Sequence, residues 1–380
     1  MLILSNDDVR QVLTLDSAID ALRQSYAEVA SGLGVSRPRI DFRMPTKDPS
    51  HYYLWSTMDG GSTVTGYLAS RMVSDLRHSE RYGGVETSEE YCIRPGLFFG
   101  IVFLFRMENA EPLAIIQDSY LQRLRVAGDA TIGVDAMARA DASTVGVLGS
   151  GGQARFWLRG ICSVRPITRA MVYSPTPANR ERYAAEMSAD LGIEVTAHDT
   201  PAEIYRGADI LASCTDGGFA ENPNPASAHL GRYLEPGTHV VSLSGPLDQD
   251  TIDRVDRALV LGTATTPVNH PDLAGEYVLS FAPPKDHPAF SEHEYWHRRY
   301  DSGLGKGNGY PHLDRTVYLP DLLSGAQPGR TSDDQVTFSE RGNLQGAQFH
   351  AVAGRIYEGA VARGIGREIP IDWLVENERN

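Results

Sequence analysis

The sequence has little cysteine, no long apolar run and no excess of positive charge. Its 380 residues contain three cysteines, Cys92, Cys162 and Cys214, which are far apart and odd in number. This usage is typical of reduced thiols in a cytosolic protein and argues against a disulfide framework. No apolar run approaches the roughly 20 residues that span a membrane. Asp7 and Arg10 interrupt the N-terminus too early for a signal peptide. We therefore expect a cytoplasmic protein without a membrane partner.

The charge balance is strongly acidic. Lys and Arg together number 35 against 49 Asp and Glu, which gives a formal net charge of −14. A surface with this charge repels phosphate backbones, so we expect no nucleic-acid partner. The hydrophobic fraction of 41% and the charged fraction of 22% are ordinary for globular proteins. A chain of this length is too long for one small core, and two domains are the natural expectation.

The first third of the chain mixes helix and strand patterns. Apolar residues from Leu15 to Val29 recur on one helical face, and Gly32 ends the pattern. Aromatic and β-branched residues then indicate strands, which we expect to be broken at Gly60 and Gly61. The predicted elements, in order, are a helix over 14–32, strands within 37–71, a β-hairpin over 97–117 and a helix over 121–139.

The middle of the chain alternates strand and helix patterns. Strands are predicted at 144–149, 169–173, 193–196, 209–214, 238–244 and 258–262, and helices over 152–163, 177–191 and 201–207. Alternation at this spacing is typical of a Rossmann-type α/β domain with a doubly wound parallel sheet. Ligands bind such sheets beyond the carboxyl ends of the strands. A further helix is predicted within 342–364.

A glycine-rich turn joins the first of these strands to its helix. The segment 149–154 has the form G-x-G-x-x-A. The first glycine makes the tight turn, the second lets the backbone approach a pyrophosphate, and the small last residue lets helix and strand pack closely. The motif at this junction predicts a dinucleotide coenzyme. The predicted contacts are Gly149, Ser150, Gly151, Gly152, Gln153 and Ala154, with Thr215 and Asp216 after the fourth strand.

The choice of coenzyme depends on the end of the second strand. An acid there would bind the ribose 2′-hydroxyl and select NAD, but Tyr173 is followed by no acid. Ser174 and Thr176 can donate to a 2′-phosphate, and Arg180 or Arg182 can supply charge. We therefore favour NADP(H) over NAD(H). The alternative is that these arginines are merely solvated on the following helix.

The segment 264–316 breaks the alternating pattern and is rich in Pro, His, Tyr, Trp, Arg and Gly. It is either an irregular insertion or a lid that walls a pocket. Within it, 293–297 matches H-E-x-x-H, a zinc-binding pattern when it lies on a helix. Arg298 and Arg299 follow at once, and the flanks do not form an apolar helix. We predict no metal site and expect aromatic and basic side chains to line the insertion.

Several segments together resemble the ornithine cyclodeaminase/μ-crystallin family. They are the turn 149–154, the helix segment 124–128, the run 323–330 and the pair Thr337-Phe338. The resemblance implies a substrate-binding and dimerisation domain of α+β type, built from residues 1–125 and 318–380. It implies a coenzyme domain over 126–317, with the insertion inside it, and a homodimer.

The resemblance also assigns two arginines to the substrate carboxylate, Arg39 and Arg125. A planar guanidinium holds a carboxylate through two parallel hydrogen bonds and so fixes the neighbouring carbon. The alternative for either residue is a surface ion pair. For Arg39, the nearby Arg37 and Arg43 are competing candidates.

Two positions depart from the family pattern, and both are candidate catalytic residues. Arg71 stands where the family places a lysine; arginine stays charged, so it binds anions but is a poor acid or base. The alternative is an exposed strand arginine. Cyclodeaminases carry an aspartate at the position that Pro246 matches, and Asp248 comes two residues later. Asp248 is either a displaced acid or a helix N-cap, and we favour the cap.

The predicted function is NAD(P)H-dependent reduction of an imino acid, as in ketimine reductases and amino-acid dehydrogenases. Arg39, Arg71 and Arg125 would form the polar pocket for a small amino or imino acid. One alternative is an ornithine or lysine cyclodeaminase, which uses bound NAD to release ammonia. The other is a non-enzymatic binder of a small ligand, of μ-crystallin type.

Overall fold

The computed structural model describes residues 1–37, 39–82, 85–215, 227–243, 247–261, 315–340 and 344–376. In these residues the strands form two sheets, one of nine strands and one of eight. Each sheet is covered by helices and has its own buried apolar cluster. No helix in the described part of the chain combines the length and the apolar character that a membrane span requires.

The nine-stranded sheet draws on both ends of the chain. From the first third come β1 (Leu2–Leu4), α1 (Asn6–Val12), α2 (Leu15–Ala30), β2 (Gly34–Ser36), β3 (Ile40–Pro45), β4 (His51–Ser62), β5 (Tyr67–Tyr82), β6 (Val85–Tyr91), β7 (Gly100–Arg106), β8 (Pro112–Gln117) and α3 (Ser119–Met137). The strand order is β17-β1-β8-β7-β5-β4-β2, with β3 beside β4 and β6 beside β5, where β17 is Arg367–Glu368 near the other end. All pairs are antiparallel except β1 with β8.

The eight-stranded sheet is entirely parallel. It comprises β9 (Thr144–Leu148), α4 (Gly152–Val164), β10 (Arg169–Tyr173), α5 (Pro177–Leu191), β11 (Glu194–Ala197), α6 (Pro201–Tyr205), β12 (Ile210–Ser213), β13 (His239–Ser242), α7 (Gln249–Arg254), β14 (Arg257–Val260), β15 (Thr316–Tyr318), α8 (Leu319–Leu323) and β16 (Thr337–Glu340). The order is β11-β10-β9-β12-β13-β16-β14-β15. The chain leaves β9 toward β10 and later returns to β12 on its other side. The switch point, where ligands bind, therefore lies at the carboxyl ends of β9 and β12.

The predicted alternation is confirmed, but the boundary placed at 317 does not match the sheet. Strand β16 lies beyond that boundary and pairs with β13 and β14 inside the parallel sheet. Its polar residues are held there by His239, whose ring nitrogens lie 2.9 Å from Thr337 Oγ1 and 3.1 Å from Ser339 Oγ. Burial lowers the pKa of His239 to about 3, so the ring stays neutral inside the sheet.

The expectation that Gly60 and Gly61 break a strand is wrong, because β4 continues through both to Ser62. The last long helix, α9 (Gln345–Arg363), crosses this strand at its first turn. A Cβ atom on Gly60 would collide with the backbone of Gly346. The glycines therefore allow strand and helix backbones to touch, and this contact brings the first turn of α9 onto the sheet.

Candidate coenzyme and substrate site

The glycine turn follows β9 directly. Gly149 has φ +100°, a conformation that glycine adopts without steric cost, and its N–H donates to Tyr173 O at 2.8 Å. A Cβ atom there would lie 3.0 Å from the carbonyl oxygen of Cys214, which follows β12. The first glycine is therefore required by the turn itself and by the neighbouring strand.

The second glycine of the motif has a different reason. Gly151 is the N-cap of α4, and a Cβ atom on it would meet no atom of the described residues within 4 Å. Packing within the chain does not explain this glycine. An open concave backbone at the N-terminus of a 13-residue helix fits a coenzyme diphosphate that approaches the amide groups closely. The residues present therefore fit the predicted dinucleotide.

Two side chains fix the turn from its protein side. Arg155 donates from Nη1 to the carbonyl oxygens of Ser150 and Gly151, at 2.7 and 3.1 Å, and pairs with Glu186. Gln153 donates from Nε2 to the carbonyl oxygen of Arg123 on α3, at 3.1 Å. Ala154, the small last residue of the motif, is completely buried. The turn is thus held rigidly with its N–H groups free to face a ligand.

The residues predicted to face a 2′-phosphate lie together. The Ser150 hydroxyl donates to Ser174 Oγ at 2.8 Å, and buried Arg180 donates from Nη1 to Ser174 O at 3.0 Å. Thr176 is the N-cap of α5 but makes no side-chain capping bond. Arg180 also pairs with Asp199, an acid after β11 that the sequence analysis missed. No local pattern indicates Asp199, because only the parallel pairing of β10 and β11 brings it to this corner.

Of the predicted contacts after the fourth strand, the structure describes Thr215. Thr215 directly follows Cys214, whose N–H donates to Leu148 O at 2.8 Å at the carboxyl end of β9. Thr215 therefore lies at the predicted edge of the sheet. Asp216 and Pro246 lie outside the described residues, as does 264–314 with its H-E-x-x-H match. Among the residues that the structure does describe, no group of three or more His, Cys, Asp or Glu side chains is placed to hold a metal ion.

The substrate side of the site contains a buried ion pair. Arg71 on β5 is only 3% exposed, so the alternative of an exposed strand arginine is wrong. Its Nε lies 2.6 Å from Asp118 Oδ2, and its Nη2 donates to Gln122 Oε1 at 3.2 Å. Burial lowers the pKa of Arg71, and the charge of Asp118 opposes this shift. Arg71 is therefore a fixed cation in a low-dielectric site.

Asp118, the partner of Arg71, is a second residue that the sequence analysis missed. It occupies the N-cap position of α3 but makes no capping bond, because its carboxylate is turned toward Arg71. Its Oδ1 is buried without a hydrogen-bond partner in the structure. An acid between a strand and a helix is ordinarily interpreted as a cap, so the sequence gives no signal for this role.

Arg125 lies further along α3. It is only 2% exposed, which excludes the alternative that it forms a surface ion pair. Its Nη1 donates to Gln348 Oε1 on α9 at 2.7 Å. Its Cζ lies 4.7 Å from the centre of the Phe349 ring, and Cζ of Arg71 lies 5.2 Å from the same centre. The structure therefore brings together two arginines that are 54 positions apart in sequence.

Arg39 directly precedes β3, and its side chain is mostly buried. It donates from Nε to Asp41 Oδ1 at 2.5 Å and from Nη2 to Ser56 Oγ at 2.7 Å. Burial alone would raise the pKa of Asp41, but the charge of Arg39 holds it below the usual value. Of the competing arginines, Arg37 pairs with Asp59, whereas Arg43 is buried further along β3.

Asp248 is fixed by backbone groups. It is the N-cap of α7, where its Oδ1 accepts from Thr251 N and its Oδ2 from Gly231 N, both at 3.0 Å. The capping alternative therefore describes this residue, and the geometry gives the catalytic prediction no support. The carboxylate satisfies two N–H groups that would otherwise be buried without partners.

Helix α3 connects the two halves of the site. We call Arg39, Arg71 and Arg125 the arginine cluster. Asp118 at the start of α3 pairs with Arg71, and Arg125 lies further along the helix. Between them, the backbone carbonyl of Arg123 accepts the hydrogen bond from the glycine turn. One helix thus sets the distance between the glycine turn and the buried arginines. Such an arrangement can hold an organic acid next to a dinucleotide.

A buried acid near this cluster should affect stability. Asp75 lies on the same face of β5 as Arg71, and its side chain is fully buried. Burial, and then the charge of Glu90, raise its pKa from 3.8 to about 6, although Arg77 Nη2 lies 3.1 Å away. Between pH 3.8 and about 6 the folded state therefore binds more protons than the unfolded state, and the stabilisation falls as pH rises.

We predict that Asp75→Asn removes this penalty. The variant should be more stable than the parent protein above pH 6, and the difference should shrink toward pH 4, as measured by urea unfolding across this range. Asp48→Asn is the control, because hydrogen bonds from Ser50 lower the pKa of Asp48 and the trend should have the opposite sign. A difference between Asp75→Asn and the parent that does not change with pH would contradict the prediction.

Comparison with known proteins agrees with this geometry. The model of the ornithine cyclodeaminase/mu-crystallin family matches residues 2–363. A Delta(1)-pyrroline-2-carboxylate reductase from Bacillus cereus is 25% identical over 276 residues, which cover 71% of this chain and 74% of the relative. An iminosuccinate reductase from Paracoccus denitrificans is 21% identical over 373 residues, 98% of this chain and 100% of that protein.

A solved structure shows the same fold over nearly the whole chain. The Delta(1)-pyrroline-2-carboxylate reductase of Thermococcus litoralis, in complex with NADH and L-proline, matches with a TM-score of 0.69 and 20% identity, covering 97% of this chain and 100% of that one. With the family model covering almost all residues, the Rossmann-type sheet and the predicted resemblance are both confirmed. The chain belongs to the ornithine cyclodeaminase/mu-crystallin family.

Proposed function

We propose that the protein reduces a small imino acid with NAD(P)H. The observation that carries the proposal is the placement of Arg71 and Arg125 against one ring, that of Phe349 on α9. Arg125 lies on α3, the helix on which the Arg123 carbonyl accepts the hydrogen bond from the glycine turn. Such an arrangement would hold a substrate carboxylate beside the dinucleotide, and this supports the proposal. The reductases named among the relatives support the same reaction class.

The side chains act chiefly by position and charge. A reduced nicotinamide, when bound, supplies the hydride for the imine carbon. Arg125 would hold the substrate carboxylate, and Arg39 would hold a second oxygen of that group or a neighbouring polar group. Arg71 cannot give up its proton at neutral pH, so it would stabilise negative charge and orient the substrate. Asp118 keeps Arg71 in place.

The fixed charge of Arg71 favours imine reduction over cyclodeamination. A lysine can lose its proton on burial and handle an amine, whereas the paired guanidinium in this position does not. A cyclodeaminase would release ammonia from ornithine or lysine without net change in the coenzyme. A pure ligand binder would take up the coenzyme and turn over no imine.

The reduction should depend on Arg125. We predict that Arg125→Lys lowers kcat/KM for imino acids by about 10- to 100-fold, because one bidentate, charge-assisted pair is replaced by a point charge. Loss of NADPH absorbance with cyclic imino acids, and with mixtures of ketoacid and amine, measures this. Arg169→Lys is the control and should leave the rate unchanged, because Arg169 is the first residue of β10 and lies at the opposite end of the strands from the glycine turn.

The proposal fails if the parent protein consumes no reduced coenzyme with any member of that substrate panel. It also fails if ammonia appears from ornithine or lysine with no net oxidation of coenzyme, since that outcome identifies a cyclodeaminase. An Arg125→Lys protein as active as the parent would remove Arg125 from the substrate site and leave the reaction class standing.

We further propose a preference for NADP(H). Ser174, Thr176 and the Arg180 guanidinium support it, because they form a donor-rich corner at the end of β10. The negative charge of Asp199 would repel a 2′-phosphate. Its side chain is 87% exposed, however, and can turn away from Arg180. We predict that Asp199→Asn strengthens NADPH binding about 3- to 10-fold with little effect on NADH, because one repulsive charge is removed.

Fluorescence titration with both reduced coenzymes checks the preference. Arg180→Gln should weaken NADPH and spare NADH, which makes the pair of variants a matched test of opposite sign. Equal changes for the two coenzymes in either variant would contradict a 2′-phosphate contact. A parent protein that binds NADH more tightly would reverse the proposed preference.

We propose that the protein is a homodimer. The face of β3, β4, β5 and β7 opposite the arginine cluster carries large, partly exposed apolar side chains: Phe42, Met44, Trp55, Leu68, Phe103 and Phe105. A contiguous apolar sheet face of this kind is typical of a protein interface. Sedimentation equilibrium should give twice the chain mass of 41.5 kDa, and a monomer at micromolar concentration would contradict the proposal.

The cytoplasmic location also remains a proposal. It rests on the three cysteines, Cys92, Cys162 and Cys214, which form no disulfide in the structure. Burial raises the pKa of Cys162 to about 11, which makes this thiol an inert apolar side chain.

The proposed partners are the coenzyme, a small amino or imino acid and a second copy of the chain.

A further inference from the structure

The side chain of Arg123 lies beside the glycine turn. The residue lies on α3, and its side chain is exposed. Its Cζ and Nη1 atoms are 3.4 Å from the place where a Cβ atom on Gly152 would be. In the part of the chain that the structure describes, no acid or other acceptor binds this guanidinium, and only its backbone carbonyl is engaged.

The position of this arginine is set by rigid elements. The carbonyl oxygen of Arg123 accepts the bond from Gln153 Nε2 at 3.1 Å, directly at the turn. Further along, a Cβ atom on Gly160 would collide with the Thr131 side chain, which shows that α3 and α4 pack closely. Arg123 and Arg125 are two residues apart on a helix, so they point to different sides. Arg125 is buried in the substrate pocket, and Arg123 faces the N-terminus of α4.

The positive charge of Arg123 lies beside the N-terminus of α4 without a neutralising anion among the described residues. Unsatisfied N–H groups give the N-terminus of a helix a partial positive charge, so an unpaired cation beside it is unfavourable. Most of the neighbouring arginines have a partner: Arg155 on α4 pairs with Glu186, and Arg159 pairs with Asp190. The chain has 49 acidic residues, yet among the residues that the structure describes none forms an ion pair with Arg123. An anion between Arg123 and the amides of the turn would stabilise both.

We propose that the Arg123 guanidinium closes over the diphosphate of the bound coenzyme from the α3 side. This inference rests on the proposed function, because it concerns the same coenzyme. The amides at Gly151 and Gly152 would bind one side of the diphosphate and Arg123 the other. Arg123 is a positioning residue, because it touches the diphosphate and not the reacting atoms. It does not distinguish NADH from NADPH, since both have the same diphosphate.

The test measures binding directly. NADH, NADPH and ADP-ribose, which lacks the nicotinamide, are titrated by calorimetry into the parent protein and into Arg123→Ala, Arg123→Lys and Arg169→Ala. Arg169 is the matched control: it is also exposed, its removal changes the net charge equally, and it lies at the amino end of β10, away from the glycine turn at the carboxyl ends of the strands. Arg123 and Arg169 are both on the surface, so unfolding temperatures should stay unchanged.

We expect Arg123→Ala to weaken all three ligands by a similar factor, about tenfold, as for the loss of one charged hydrogen-bonding partner. Arg123→Lys should lose less affinity than Arg123→Ala, because lysine keeps the positive charge but lacks the planar guanidinium that can donate two parallel hydrogen bonds. The affinity of Arg123→Ala should also fall less steeply with added salt than that of the parent protein. Arg169→Ala should bind all three ligands as the parent does.

Three results would overturn the inference. One is equal affinity of Arg123→Ala and the parent for all three ligands. Another is a loss confined to NADPH, which would move Arg123 to the 2′-phosphate. The third is unchanged coenzyme binding with a raised KM for the imino acid, which would assign Arg123 to the substrate. If the parent protein binds none of the three ligands, the proposed function itself fails, and this result is distinct from the others.

Discussion

A buried chain of hydrogen bonds joins the three helices on which the site depends. Arg125 on α3 donates to Gln348 on α9, Gln348 donates to the hydroxyl of Tyr26 on α2 at 2.6 Å, and Tyr26 donates to Asp129, again on α3. All four side chains are almost completely inaccessible to solvent. Burial and the charge of Asp129 raise the pKa of Tyr26 well above its usual value, so its hydroxyl remains a donor. Removing one member would leave a charge buried without its partner, which is more costly than the loss of a surface contact.

These hydrogen bonds help to explain why the two ends of the polypeptide pack onto one sheet. Helix α2 comes from the first 30 residues and α9 from the last 40, and both pack onto the sheet that contains β4 and β5. The close approach of Gly60 and Gly346 brings the first turn of α9 onto the strand, where Phe349 meets both arginines. The candidate substrate site is therefore assembled from residues far apart in sequence and held by contacts that tolerate little change in volume.

The sequence predicts local structure well and long-range pairing poorly, and particular residues show why. The turn 149–154 is recognisable because the strand, the turn and the helix are adjacent, and the structure places Gly149 and Gly151 as the motif requires. Asp118 looks like a cap and instead pairs with Arg71, 47 positions away. Asp199 reaches Arg180 only because β10 and β11 are neighbours. Strand β16 has too few apolar residues to predict a central strand, and His239 is what satisfies its hydroxyl groups.

The distribution of charge fits an enzyme that acts on anions. The chain has a net charge of −14, yet its buried cations gather where a carboxylate or a phosphate would bind. Arg71 and Arg39 are each matched by an aspartate, so the protein alone remains stable, and a bound carboxylate need only share their hydrogen bonds. An acidic exterior repels large polyanions, whereas the local field of the proposed pocket would attract a small organic acid. Under the proposed function, selectivity for small anions would follow from placing positive charge inside an acidic surface, and arginine keeps that charge independent of pH near neutrality.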